Sequence, residues 1–563
     1  MRVSTIVRGA LICLCLSLAA CGGGGGGAPS NVGAPPPGPA PISKAQIDAT
    51  SQTVRAASFG LDYADLESAT RLGAEAWLDQ QLALPPTFHR STMEGILARR
   101  AAGEFDAFEN DIEYLIFARR IGWWHNTLTA RDTVRQRVAY ALSQIFVVSD
   151  NVDTLEVYPY ALNTYYDVLL EHAFGNFRDL LREVTLSPAM GLYLSHLNNR
   201  AADPIRNIFP DENYAREVMQ LFSIGLFELN IDGSVQMGAN GQPVPSYDND
   251  DIREFAKIFT GLSFGGPGAF FGNIAEPNFS VPMQMFDAAH EPGEKRLLNG
   301  FVVPAGQTGS QDLEMAIDNL FNHPNVGPFI GRQLIQRLVT SNPSPDYIER
   351  VATTFNDNGF GVRGDMQAVI RAVLLDREAR SAPDAASAKG KLQEPFVRYL
   401  SILRQFNISS TDTLVGMTGF FAEAILRQHP LSAPSVFNFY LPDHSPAGPI
   451  ADASLVAPEF QITNASTIIG WPNLIDAIVF ADFPGETPDG FAPVTLDFSR
   501  WIETAANTDV LVDQLDSLLM AGQLNAEVRT DWITTLDPIE DDQFKFQTAL
   551  WLFLISPDYV VQQ

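Results

Sequence analysis

The sequence predicts a mainly α protein: one large multi-helical globular domain with a single irregular, hairpin-like insertion around residues 263–308. Three observations carry this expectation. From Ala45 onward, apolar residues recur at three- and four-residue spacing over most of the chain, the period of a helix with one buried face. Polar capping residues precede several of these runs. Between about Ser263 and Thr308 the period is lost, and glycines, prolines and short β-branched or aromatic runs (FSVPMQMF, LLNGFVVPA) replace it, as in a strand-and-turn excursion.

Each element has its own signal. RDTVRQRVAYALSQIFVVS (131–149) spaces Val134, Val138, Ala141, Leu142 and Ile145 as an apolar stripe with arginines opposite. Asp62, Asp250 and Ser344 stand where helix N-caps are expected, the last with Pro345 at the first helical position. Similar stripes occupy 311–322, 325–341, 362–375, 391–406 and 541–555. No linker or fixed-period repeat breaks 45–563, so one unit is expected there.

The first 44 residues read differently. Arg2 and Arg8, the apolar ALICLCLSL and the small pair Ala19-Ala20 compose a secretory signal peptide over 1–20. Its apolar core is shorter than the roughly 20 residues a bilayer crossing needs. Leu18-Ala19-Ala20-Cys21 resembles the lipobox of bacterial lipoproteins, in which the cysteine is acylated and becomes the mature N-terminus. That resemblance implies export and lipid anchoring at Cys21. Gly22, where inner-membrane lipoproteins often carry Asp, implies the outer membrane. Residues 21–44, rich in Gly and Pro, cannot bury a core and are expected to be a tether.

Composition excludes several chemistries. The cysteines are Cys13, Cys15 and Cys21. Cleavage would remove two and acylation the third, leaving no disulfide, thiol nucleophile or cysteine-held metal centre. The chain carries a net charge of −29, and −31 once Arg2 and Arg8 leave with the signal peptide. Such a surface repels nucleic acid, so no nucleic-acid partner is expected. None of the eight histidines forms H-E-x-x-H or another tight ligand spacing, and neither a metal nor a cofactor is expected.

One constellation stands out. Over DENYAREVMQLFSIG (211–225), a helical wheel gathers Glu212, Asn213, Arg216, Glu217 and Gln220 into one polar arc. Glu212–Arg216 and Asn213–Glu217 are i,i+4 neighbours. Arg216 can then pair a carboxylate while Asn213 orients another, which suits binding a polar ligand or tuning an acid/base group. The 263–308 segment is long enough to fold over this helix, so Arg216 is expected to bridge buried carboxylates. His290 and Lys295 lie in that segment beside Glu291 and can hold an anion or shuttle a proton. The candidates are therefore Glu212, Glu217 and His290 for catalysis, and Asn213, Arg216 and Lys295 for binding. Gly261-Leu262-Ser263-Phe264-Gly265 satisfies G-x-S-x-G, but a nucleophile elbow needs a strand before the serine and a helix after it. A helix precedes and a glycine-rich loop follows.

Several segments, in order, carry a family resemblance: AASFG…LGAEAWLDQQL (56–82), HAFGNFRDLLREVTLSPAMGLYLSHLNNR (172–200), DENYAREVMQLFSIGLFELNIDG (211–233), DDIREFAKIFTGL (250–262), HEPGEKRLLNG (290–300), GKLQEPFVRYL (390–400), APSVFNFYLP (433–442), APEFQITN (457–464) and SPDYVVQ (556–562). The chain resembles the bacterial domain-of-unknown-function family 1800. Glu291 and Leu262 depart from the family's pattern, where Asp and Trp are expected. The resemblance implies gene company with exported proteins of domain-of-unknown-function family 1501, which resemble the alkaline-phosphatase and sulfatase superfamily. The favoured expectation is an envelope-anchored accessory or binding lipoprotein acting with an exported partner enzyme or an extracellular polymer. The alternative is a hydrolase-type enzyme using Glu212 or Glu217 as acid/base, with Arg216, His290 and Lys295 in support.

Overall fold

Capping side chains set where the helices begin. Ser43 accepts from the Gln46 backbone N–H and donates its own N–H to Gln46 Oε1, so the first helix runs Lys44–Ala57. Asp62 caps Tyr63–Leu72 and Ser344 caps Pro345–Asn356, with Pro345 at the first position as expected. The cap expected at Asp250 lies two residues earlier. Asp248 accepts from the Asp250 and Asp251 N–H groups and donates its own N–H to Asp251 Oδ2, starting the helix Asn249–Ile258.

A computed structural model describes residues 41–104, 111–381 and 389–562 of the chain. The expected signal peptide, Cys21 and nearly all of the expected tether lie outside the described residues. From Ile42 to Gln563 the chain forms one unit, mainly helical, and the strands among the described residues are two-residue antiparallel pairs. The stripes expected at 311–322, 325–341, 362–375, 391–406 and 541–555 form helices Gly309–Phe321, Val326–Leu338, Met366–Leu375, Pro395–Gln405 and Asp542–Ile555.

The insertion expected around 263–308 is present as two small ladders. Leu262–Ser263 pairs with Gln284–Met285, and Lys295–Arg296 pairs with Val302–Val303. Gly261 (φ +89°) makes the turn out of the preceding helix, where a Cβ would stand 2.9 Å from the Phe286 carbonyl. A second irregular segment, 225–247, was not expected. Bridges Phe227–Pro245, Leu229–Val235 and Met237–Pro243 fold it back on itself. Two tight turns close it: Gly233 N–H donates to Asn230 O at 2.9 Å, and Gly238 N–H to Gln242 O at 2.8 Å.

Helix Thr133–Ser143 lies at the centre of the core, with every residue buried. It packs against Lys44–Ala57, Ala74–Leu82, Pro159–His172 and Val326–Leu338. The arginines opposite the apolar stripe, Arg135 and Arg137, are buried with the rest. Arg135 donates to Leu170 O at 3.0 Å, and Arg137 donates to Arg337 O at 2.6 Å. Neighbouring helix ends supply these carbonyls, which is why a surface-like pattern is buried here. Among the described residues, no helix is long and apolar enough to cross a membrane.

Candidate functional site

The predicted polar arc is divided by its surroundings. The helix that carries it is only Asn213–Gln220, two turns, with Glu212 as its N-cap. Arg216 lies 3.8 Å from Glu212, with side chains 42% and 46% exposed, so this pair is solvated rather than the buried bridge expected. Asn213 is exposed as well. Glu217 points inward: it is buried, its Oε2 has no hydrogen-bond partner among the described residues, and burial pushes its carboxyl above the ordinary value despite Arg216.

The 263–308 segment does not cover this helix as a lid. Its Lys295–Arg296 strand packs on Asn249–Ile258. There His290 and Lys295 converge on Asp312, which Thr308 positions by capping the helix Gly309–Phe321. His290 Nε2 is 3.0 Å from Asp312 Oδ2, and its Nδ1 is 2.8 Å from the Thr260 carbonyl. Lys295 Nζ donates to Asp312 Oδ2 at 2.5 Å and to the Glu291 carbonyl. Gln307 Nε2 fills the remaining Asp312 oxygen at 3.0 Å. All three titratable side chains are buried. The cluster pins the insertion to the body. Among the described residues, no hydrogen bond or ion pair joins Glu212, Arg216 or Glu217 to it. Ser263 of the G-x-S-x-G match is buried and donates to Asn198 Oδ1 at 2.5 Å.

A cleft of about 420 Å³ opens elsewhere, between the 225–247 segment, helix Val326–Leu338 and the 436–443 stretch. Its lip is held by Asn325, whose Nδ2 donates to the Ile224 and Phe227 carbonyls and whose Oδ1 accepts from Leu229 N–H. Gly225 (φ +75°) lets the chain turn into the lip, where a Cβ would stand 2.7 Å from the Phe329 ring. Leu226, Phe227, Val235, Phe329 and Phe437 give apolar walls. Gln220, at the end of the predicted arc, also lines it.

The floor is polar and closed. Gln144 and Arg337 line the cleft and continue into a network around Glu394. Glu394 Oε2 accepts from Tyr140 Oη at 3.0 Å, from Gln144 Nε2 at 2.7 Å and from Gln428 Nε2. Arg337 donates to the Gln144 carbonyl at 3.1 Å. Lys391 pairs with Glu459, and the antiparallel register Lys391–Gln562 holds it in place. Burial alone would raise the Glu394 carboxyl. The charges of Lys391, Arg137 and Arg337 and the Gln428 hydrogen bond hold it below its ordinary value instead. Glu459 is raised by burial, which Lys391 only partly opposes. Tyr440 is raised well above its usual value by burial and by the two carboxylates.

A family described as proteins of unknown function, DUF1800, matches residues 52–561. The chain belongs to this family. No curated protein and no solved structure matches it. The DUF1800 span takes in the lip, walls and floor of the cleft. Glu394, Tyr440 and Glu459 sit inside GKLQEPFVRYL, APSVFNFYLP and APEFQITN, yet the sequence marks none of them as a site. Their signal is a lone acid or phenol within an apolar run, which gains meaning only when the three segments meet. The lip had a stronger signal: NIDG and GANG turns between short runs with strand-like residues.

Proposed function

We propose that this chain is an envelope-anchored lipoprotein, acylated at Cys21 and held at the outer membrane, that acts by binding. It serves as an accessory to an exported partner enzyme or an extracellular polymer. The observation that carries this reading is the cleft, with apolar walls over a polar floor, the ordinary form of a ligand site. Three of the six candidate residues point the same way. His290 and Lys295 are satisfied within the protein by Asp312, and Arg216 faces solvent. The lipobox pattern supports the anchor, and the gene company implied by the family resemblance supports an exported partner.

Two experiments test it. Tagged protein recovered from native envelope, beside a Leu226→Asp variant that places a charge in the apolar lip, is compared by mass spectrometry. An exported protein or polymer enriched with the wild type and lost with the variant is expected; identical recoveries overturn a role for the cleft. Metabolic labelling with a fatty-acid analogue tests the anchor, and undiminished label in Cys21→Ser overturns it.

A further inference from the structure

The cleft stands over an electrical imbalance. Arg137, Arg337 and Lys391 oppose Glu394 and Glu459 beneath it, and none of the five is more than 5% exposed. Three buried cations therefore face two carboxylates. A recess of about 10 Å³ extends the floor toward Tyr440 and Glu459, sharing Gln333, Gln336, Arg337 and Pro442 with the cleft. In a poorly solvated region an unmatched charge acts over several ångströms.

The cleft wall adds unused donors. Arg332 lines the cleft, and Asp443 acts on it only across space. Among the described residues it makes no hydrogen bond or ion pair. Its neighbour Gln333 also lines the cleft and has an Nε2 that no group among the described residues accepts. An arginine fork matches a carboxylate with two parallel hydrogen bonds. Opposite these donors, Leu226, Phe227, Val235 and Phe437 remain exposed, leaving apolar surface for a hydrocarbon to cover.

Taking this cleft as the binding site, we infer that its occupant is an apolar carboxylate. Its hydrocarbon lies along the lip and Phe329, and its carboxylate meets the Arg332 guanidinium and Gln333 amide above the positive floor. An anionic head answers the surplus positive charge of the floor and of Arg332, and a cationic head is repelled by it.

Calorimetric titration of the full chain with dodecanoate, dodecanol and dodecyltrimethylammonium tests the inference. Dodecanoate is expected to bind at least about tenfold more tightly than dodecanol, as a charge-assisted pair requires, and the ammonium compound more weakly than either. Arg332→Met, at an exposed position, is expected to erase the preference for dodecanoate over dodecanol. Leu226→Asp is expected to weaken both. Equal binding of the acid and the alcohol, or a preference undiminished in Arg332→Met, overturns the carboxylate assignment and leaves the cleft as a site. No binding of either, or binding indifferent to Leu226→Asp, overturns the reading of the cleft itself.

Discussion

Asn325 grips Phe227 by its backbone: Nδ2 donates to the Phe227 carbonyl at 2.8 Å from a fully buried position. The same side chain serves Ile224 O and Leu229 N–H, each at 2.9 Å. One amide thus ties the lip of the cleft to the start of helix Val326–Leu338. Asn325→Ala leaves these backbone groups without their partner, at about 1–3 kcal/mol for each that stays buried. Hydrogen exchange is expected to lose protection across 225–247 before the rest of the protein. Uniform loss across the chain would mean that the lip is not held separately.

Asp312 is the only carboxylate that meets both His290 and Lys295 among the described residues, and its side chain and that of Lys295 are each 1% exposed. Removing it with Asp312→Ala strands a buried ammonium, an effect of about 3–5 kcal/mol. Asp312→Leu combined with Lys295→Met removes both charges and is expected to recover much of that loss, since paired removal avoids an orphaned ion. Denaturant unfolding of the wild type, Asp312→Leu, Lys295→Met and the double variant makes the comparison; a double variant as unstable as the sum of the two single variants contradicts the pairing.

Arg216 should matter little to stability. Its 3.8 Å pair with Glu212 is exposed on both sides, and such pairs contribute at most about 1 kcal/mol. Arg216→Ala is expected to melt close to wild type. A loss of several kcal/mol would restore the buried bridge that the sequence pattern suggests.

Asp167 introduces a pH dependence. Its carboxylate accepts from the His89 and Arg90 backbone N–H groups at 2.7 and 3.1 Å, yet burial pushes its pKa up to about 7. A carboxyl raised on folding binds its proton more tightly in the native state. Its stabilising contribution is therefore complete below the ordinary value of 3.8 and is lost as pH rises through about 7. Relative to Asp167→Asn, the wild type is expected to lose stability between about pH 5 and about pH 8. Urea unfolding at the two values decides it; a difference between the proteins that does not change with pH rules out this titration.

Local sequence by itself determined most of the helices. Ser43, Asp62 and Ser344 satisfy N–H groups within three residues, so their caps are written in adjacent side chains. The apolar period placed the helices of the second half, and its loss placed the two ladders between Leu262 and Val303. The ordered segments from 56 to 562 were enough to indicate the family.

Tertiary structure alone decided which polar groups are buried and which of them meet. Arg137 and Arg216 both look like surface arginines on amphipathic helices. One is enclosed because four other helices surround its own, and the other keeps 42% of its side chain exposed. Glu394 meets Tyr140 across 254 residues of chain, and the register of Lys391 comes from the strand Val561–Gln562. A helical period reports the side of a helix that packs. It holds no information about which distant segment arrives there, and the charge balance of the cleft depends on those arrivals.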